Sequence, residues 1–547
     1  MTKNNKIFLI FIVLISFCLR FYKIGQYPSL LWDEAAIGYN AYSIVETGKD
    51  EYGQNFPLIF KSFGDYKPGL YIYLATPFVK LFGLNVTTTR LPSIVLGSLL
   101  PVFIFLLIKE ISEKAHKTAI IAAIITAFNP YSIHFSRGAW EANILTVELV
   151  LASYFFFKFI KQKLNRYLLF SSLIFGLSLF TYQASKLISL LLIIILFIVN
   201  LRIVNRQNIK NIFIYFVLPL VICSFPIIYG LFYSSNANRL EVVSLFSYPR
   251  NQPEINQIIK ETNITNYSIF HNQSIFFLRN FFYRYFNHFS SKFLAFEGDW
   301  QNPRHSAPYV GVILYPSLVF LIIGIFFALS RLKIDKLNRY FLLWLLVAPI
   351  PASLTRDTIQ AVRSMSFSIP LIYFISLGIY FVINKYKSIL LYCLIVGVYL
   401  ISFVYYFDLY LNHSIKKSPQ DYLYGYEQAI NYINQNKDKY KQVLLTNYYG
   451  QPYIFYLFFT KYSPKIYQQQ AKLVENNTVD VGDVKQIDNI RFKPISLQED
   501  VEGKPDILAI FSYSEVLEQI LNEKKSLSKF IPLSPINNIS TFYAYKN

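Results

Sequence analysis

Apolar runs of about bilayer length recur along this 547-residue chain, and they limit its fold more than any other feature. Eleven such runs lie near residues 5–23, 88–109, 117–135, 140–160, 167–184, 187–204, 212–233, 308–330, 338–354, 364–383 and 387–408. A helix rises 1.5 Å per residue and the hydrocarbon core is about 30 Å thick, so roughly 20 apolar residues make one crossing. With 54% hydrophobic residues, the chain has more apolar surface than a water-soluble domain can bury. The prediction is an α-helical polytopic membrane protein with about eleven spanning helices. The first run follows Lys3 and Lys6 but precedes no small-residue cleavage site, so it reads as an uncleaved helix.

A twelfth run, Leu70 to Leu84, is short and contains Pro77 and Lys80. Its placement sets the sidedness of everything after it. If it lies along the outer interface, the clusters Lys109, Lys114 and Lys117; Lys158, Lys161, Lys163 and Arg166; Arg202, Arg206 and Lys210; Arg331, Lys333, Lys336 and Arg339; and Lys385 and Lys387 all face the cytoplasm. Short cytoplasmic loops collect such residues. The run therefore reads as a juxtamembrane helix, the N-terminus as cytoplasmic, and the protein as multi-pass in the plasma membrane. The net charge of +20 is absorbed by these loops, and nucleic acid is not indicated as a partner.

On this topology residues 24–87, 137–143, 234–307 and 353–363 share the outer face. From about Asn412 the chain turns polar, with helix-like and strand-like stretches alternating at 420–436, 443–447, 505–513 and 514–522. The expected division is a transmembrane catalytic domain over 1–411 and a small extracytoplasmic α/β domain over 412–547. Cys18, Cys223 and Cys393 all fall within apolar runs and suggest membrane-buried thiols rather than disulfides.

Asp33 and Glu34 stand just beyond the first run, in a chain sparing with acids. They could simply open a helix that Gly48 stops, because acids in a first turn complement the helix dipole. Equally, one of them could be a general base on a hydroxyl. Neighbours on a helix point about 100° apart, so the two acids face different surroundings. Arg20, Arg90, Arg137, Arg304, Arg356 and Arg363 fall on the outer side or at outer helix ends, and a guanidinium suits phosphate through its planar fork. Lys67 lies in the turn before Pro68 and Gly69, and Glu141 is an acid that could equally cap a helix. His271, His288 and His305 lack metal-ligand spacing, so no metal site is assigned, although a divalent ion assembled from distant residues stays open.

Arg20, Trp32-Asp33-Glu34, Asp65-Tyr66-Lys67-Pro68-Gly69-Leu70-Tyr71, Phe82-Gly83-Leu84-Asn85 and Arg90-Leu91-Pro92-Ser93 follow one another in an order that resembles glycosyltransferase family 39 of the GT-C enzymes. That family includes protein O-mannosyltransferases and lipid A aminoarabinose transferases. The likeness is strongest over residues 1–145 and looser through Asn302-Pro303-Arg304-His305-Ser306 and Ala361-Val362-Arg363-Ser364. It implies a polyprenyl-phosphate sugar donor, a protein, lipid or glycan acceptor, and an active site on the non-cytoplasmic face. Asp33 and Glu34 match the family's acids. Arg20 and Arg90 match its arginines and Lys67 its basic residue, while Arg137, Glu141, Arg304, His305 and Arg363 complete the expected substrate-binding set. Many members have His-Lys-Pro-Pro or His-Pro-Pro where this chain has Tyr66-Lys67-Pro68-Gly69. The expected reaction is a single displacement with inversion. A transporter or flippase of lipid-linked saccharides and a non-catalytic scaffold are the alternatives.

Overall fold

Among the described residues, the eleven apolar runs become helices of unequal length. A computed structural model describes residues 3–63, 65–201, 206–233, 243–470, 473–474, 482–523, 527–537 and 539–545; Gly64, Arg202 and residues 234–242 of the long loop lie outside them. Among the described residues, six helices are long and apolar enough to cross a membrane: Lys3–Phe21, Val86–Ile111, Glu141–Gln162, Asn208–Ile227, Met365–Tyr386 and Ile389–Lys417. Glu113–Phe128 and Pro130–Ser136 make a seventh if this pair, bent by 51°, is one span.

The expected count of eleven is thus not confirmed: six helices among the described residues, or seven with the bent pair, have spanning length. The other four runs form the helices Asn165–Ser178, Ser185–Val199, Tyr315–Leu329 and Lys336–Val347, of 14, 15, 15 and 12 residues. These are about 18–22 Å long, short of a hydrocarbon core of about 30 Å. Hydropathy counts apolar turn residues, such as Leu179 and Phe180, as if they were helical. The run from Leu70 is also short, a 13-residue helix, Leu70–Phe82.

The chain packs into two compact units. One comprises residues 1–20, 95–136 and 140–408; the other comprises 21–94, 137–139 and 409–547. In the first, Tyr315–Leu329 and Ser368–Tyr386 meet backbone to backbone: a Cβ on Gly324 would run into the Phe374 carbonyl, and one on Gly378 into the Phe320 carbonyl. Small residues permit such approach where no hydrophobic effect separates helix from lipid. Gly378→Val is therefore expected to remove monodisperse protein from a detergent extract, because overpacking a tight contact costs about 1–3 kcal/mol or more. Native-like yield and melting midpoint would show that the two helices can separate freely.

The second unit contains the acidic helix Trp32–Thr47, which runs from the acids to a left-handed Gly48 (φ 70°), as the sequence signals predict. It also contains the antiparallel hairpin Ile59–Ser62/Asp65–Pro68 and a six-stranded sheet. The sheet order is Gln486–Ile487, Ile490–Phe492, Gln442–Leu445, Ile507–Ser512, Phe542–Tyr545, Phe530–Pro532. Gln442–Leu445 pairs in parallel with both its neighbours, and Leu444, Ala509, Phe511 and Val516 are buried beside it. The strand-like and helix-like stretches of the C-terminal sequence are thus present, with the helix Tyr513–Glu523 directly after the central strand. Residues 21–94 group with these C-terminal residues.

Candidate active site

The first turn of the acidic helix gives its two carboxylates unlike surroundings. Glu34 is buried, and its Oε1 accepts from Arg90 Nε at 2.8 Å and the Ala139 N–H at 2.7 Å. Its Oε2 accepts from an Arg90 terminal nitrogen at 2.7 Å and, reaching back to the helix cap, from the Leu31 N–H at 3.1 Å. Four donors fill the acceptor sites of this carboxylate. Arg90, fully buried, gives its remaining N–H groups to the carbonyls of Ile24 (2.9 Å), Pro28 (2.9 Å) and Ser29 (3.1 Å). All five of its donors are used within the protein, so in this geometry it offers none to an outside phosphate.

Asp33, one residue earlier, points elsewhere. Its side chain is 33% exposed and forms an ion pair with Lys67 Nζ, itself 20% exposed. Lys67 comes from the second strand of the hairpin and lies 5.3 Å from the Phe63 ring centroid. Arg137 is fully buried, donates to the carbonyls of Tyr22 (2.8 Å) and Tyr27 (3.1 Å), and stacks over the Tyr410 ring at 5.5 Å. Asp33, Glu34, Lys67, Arg90 and Arg137 therefore belong to one unit.

The remaining sequence-predicted residues belong to the other. Arg20 is fully buried and donates to Ser16 Oγ at 2.6 Å and to the carbonyls of Ser16, Ala127 and Thr126 at 3.1, 3.3 and 3.5 Å. Glu141 sits in the first turn of Glu141–Gln162. Arg363 is partly exposed and donates to Asp357 Oδ2 at 2.7 Å and Thr355 Oγ1 at 2.9 Å. The Arg304 carbonyl meets His134 Nε2 at 2.9 Å. His305 Nδ1 meets Asp299 Oδ2 at 2.9 Å, with Trp140 edge-on to its ring at 5.3 Å. Burial pushes the His305 imidazole down, against the pull of Asp299. With Nδ1 donating to Asp299, its other nitrogen is an acceptor.

Asp299 carries no signal in the sequence. Burial pushes its carboxyl up, but the hydrogen bonds from His305, the Ala361 N–H (2.9 Å) and Asn302 outweigh this and hold it below the usual range. Glu51 also escapes the sequence reading, although Asp50-Glu51 is a second acidic pair between the same two apolar runs. It is fully buried; Oε1 accepts from Asn40 Nδ2 at 3.1 Å, and its N–H donates to Asn40 Oδ1 at 3.0 Å. Burial pushes its carboxyl up to about 8, despite Asn40 and the nearby Lys67.

A folded-state value above the unfolded one means that the native protein holds this proton more tightly. The resulting stability is present at low pH and is lost as pH rises from about 4.5 toward 8, by up to about 1.4 kcal/mol for each pH step of one. Glu51→Gln is accordingly expected to raise the melting midpoint at pH 8 while changing it little at pH 5. An equal change at both pH values would show that Glu51 does not titrate in this window. Among the described residues, no group of three or more His, Cys, Asp or Glu side chains is placed to hold a metal ion.

Residues 66–229 match the family described as dolichyl-phosphate-mannose-protein mannosyltransferase. No curated protein matches the chain at a significant level. Among solved structures, the chain is similar to ArnT from Cupriavidus metallidurans bound to undecaprenyl phosphate, at 10% identity and TM-score 0.52, over 99% of this chain and 98% of that one. The apo form of the same enzyme gives 11% identity and TM-score 0.54 over the same shares. At such identity the likeness is one of fold. Residues 66–229 thus match the pattern of the mannosyltransferase family, and the whole chain shares the fold of ArnT.

Proposed function

We propose that this protein moves a sugar from a polyprenyl-phosphate carrier to an acceptor hydroxyl on the extracytoplasmic face of the membrane. The carrying observation is the Asp33–Lys67 pair, a partly exposed carboxylate and cation beside an acid whose bonding capacity is already spent. ArnT, similar in fold, was crystallised with undecaprenyl phosphate, the same class of carrier.

Polyprenyl phosphate leaves as a weakly basic anion, so its departure calls for cations and no general acid. As the acceptor oxygen bonds to the anomeric carbon, its proton passes to Asp33. The carbon–phosphate oxygen bond breaks, and its electron pair stays on the phosphate. Lys67 is the cation paired with that base. Glu34 and Arg90 hold the acidic helix in place rather than react. Attack from the face opposite the leaving group inverts the anomeric configuration.

The test is transfer by the native protein in liposomes supplied with radiolabelled polyprenyl-phosphate mannose, then with carriers of other hexoses and pentoses, and a mixed protein, lipid and glycan extract. Label is expected to move from at least one donor with inverted configuration. Retained configuration would remove the single displacement, and silence with every donor would remove the enzyme reading. The transporter alternative keeps one observation: Glu148, buried within the span Glu141–Gln162, accepts from Thr181 Oγ1 at 2.7 Å. Acids inside spans mark transport paths in many carriers. Carrier flux across the same liposomes without transfer would favour it.

A further inference from the structure

Two residues beside the Asp33–Lys67 pair rest on turns that come from the C-terminal part of the chain. Trp32 opens the acidic helix immediately before Asp33. A Cβ placed on Gly450 would lie 2.8 Å from Cζ3 of the Trp32 ring, with Cε3 at 3.4 Å and Cη2 at 3.6 Å. The indole therefore lies against bare backbone. Phe63, whose ring lies beneath Lys67, accepts through its carbonyl from the Gly482 N–H. Gln451, buried next to Gly450, joins the two supports by donating from Nε2 to the Gly482 carbonyl at 3.1 Å.

The Gly450 turn is firmly held. The Gly450 N–H donates to the Asn447 carbonyl at 2.9 Å, and its own carbonyl accepts from Tyr426 Oη at 2.8 Å. Tyr426 is in turn stacked on Phe455 at 4.0 Å and packed against Phe542 at 4.8 Å. Gly450 has φ +81° and Gln451 φ +46°, two left-handed residues in succession before the helix Pro452–Thr460. A side chain at 450 would be strained by its backbone and blocked by the indole, and the turn is the less yielding partner. Trp32 would give way, carrying the first turn of the acidic helix with it.

From these contacts we infer that Gly450 is a positioning residue, which acts through the Trp32 ring to set where Asp33 stands relative to Lys67. The inference rests on the transfer reaction proposed above and assigns to the C-terminal region the alignment of that site. A misplacement of about 1 Å can cost on the order of a hundredfold in rate without loss of binding.

The experiment uses the full chain in liposomes and the radiolabelled polyprenyl-phosphate sugar that the native protein accepts. Gly450→Ala is expected to lower kcat about tenfold or more and to leave the donor KM within about twofold. Gly503→Ala is the control: Gly503 has φ +74°, in the same part of the chain, and nothing within 4 Å of its added Cβ. It carries comparable backbone strain without a neighbour, and kcat should stay near native.

In a Trp32→Leu background, Gly450→Ala should cost less than about twofold, because the obstructing ring is gone. If Gly450→Ala does not accumulate, Trp32→Leu alone is expected to lower kcat with an unchanged melting midpoint. The inference is overturned if Gly450→Ala and Gly503→Ala lower kcat by the same factor, or if the Trp32→Leu background leaves the Gly450→Ala cost unchanged. It is equally overturned if Trp32→Leu alone leaves kcat at the native value. Absence of transfer by the native protein with every donor removes the proposed function itself, and this inference with it.

Discussion

Arg90→Ala is expected to destabilise the protein by about 3–5 kcal/mol, the usual cost of leaving one member of a buried ion pair without its partner. Glu34 would remain buried with its two best donors gone, and the carbonyls of Ile24, Pro28 and Ser29 would lose theirs as well. Against a typical folding stability of about 5–15 kcal/mol, this is enough to deplete the folded protein. The measurement is the melting midpoint and monodisperse yield in detergent. Replacing both partners, as in Glu34→Met with Arg90→Met, should recover only part of the loss. The double variant removes the buried charge but still strands three carbonyls and the Ala139 and Leu31 N–H groups. A midpoint for Arg90→Ala within error of native would mean that the pair is dispensable and that Arg90 is held in reserve for a substrate.

Asp33→Asn is expected to have the opposite phenotype. Its side chain is one-third exposed and its partner Lys67 is near the surface, so the ion pair contributes at most about 1 kcal/mol to stability. Folding should therefore be near native. Transfer should fall about 10²–10⁴-fold, the usual contribution of a positioned general base, because an amide cannot take the acceptor proton. The donor KM should change little. Transfer within threefold of native would take Asp33 out of the reaction and turn attention to Glu51, the buried acid near Lys67. Two adjacent acids would thus separate cleanly, one in the thermal melt and the other in the rate.

That separation shows where sequence reasoning stops. The start of the acidic helix, its stop at Gly48 and the divergence of Asp33 from Glu34 follow from local rules that act within a few residues. The partners of Glu34 are 56 and 105 residues away, and no spacing points to them. Arg90 and Arg137 stand out in the sequence as cations on the cation-poor side. Backbone carbonyls that no motif records take up three of the five N–H groups of Arg90 and draw on those of Arg137. Asp299 gives no signal because its role comes from His305 and Ala361 folding over it. Glu51 does carry a signal, the acidic pair Asp50-Glu51, but burial rather than composition makes it unusual.

Short-range features are enough to make this a helical membrane protein with an acid pair opening a helix after the first span. Composition, hydropathy and capping are properties of short stretches, and short stretches are what a sequence displays. Folding alone fixes which acid is spent on an arginine and which remains partly exposed beside a lysine. It alone brought a C-terminal turn against Trp32. Those outcomes depend on burial and on hydrogen bonds between residues tens to hundreds of positions apart, which exist only once the chain has closed on itself.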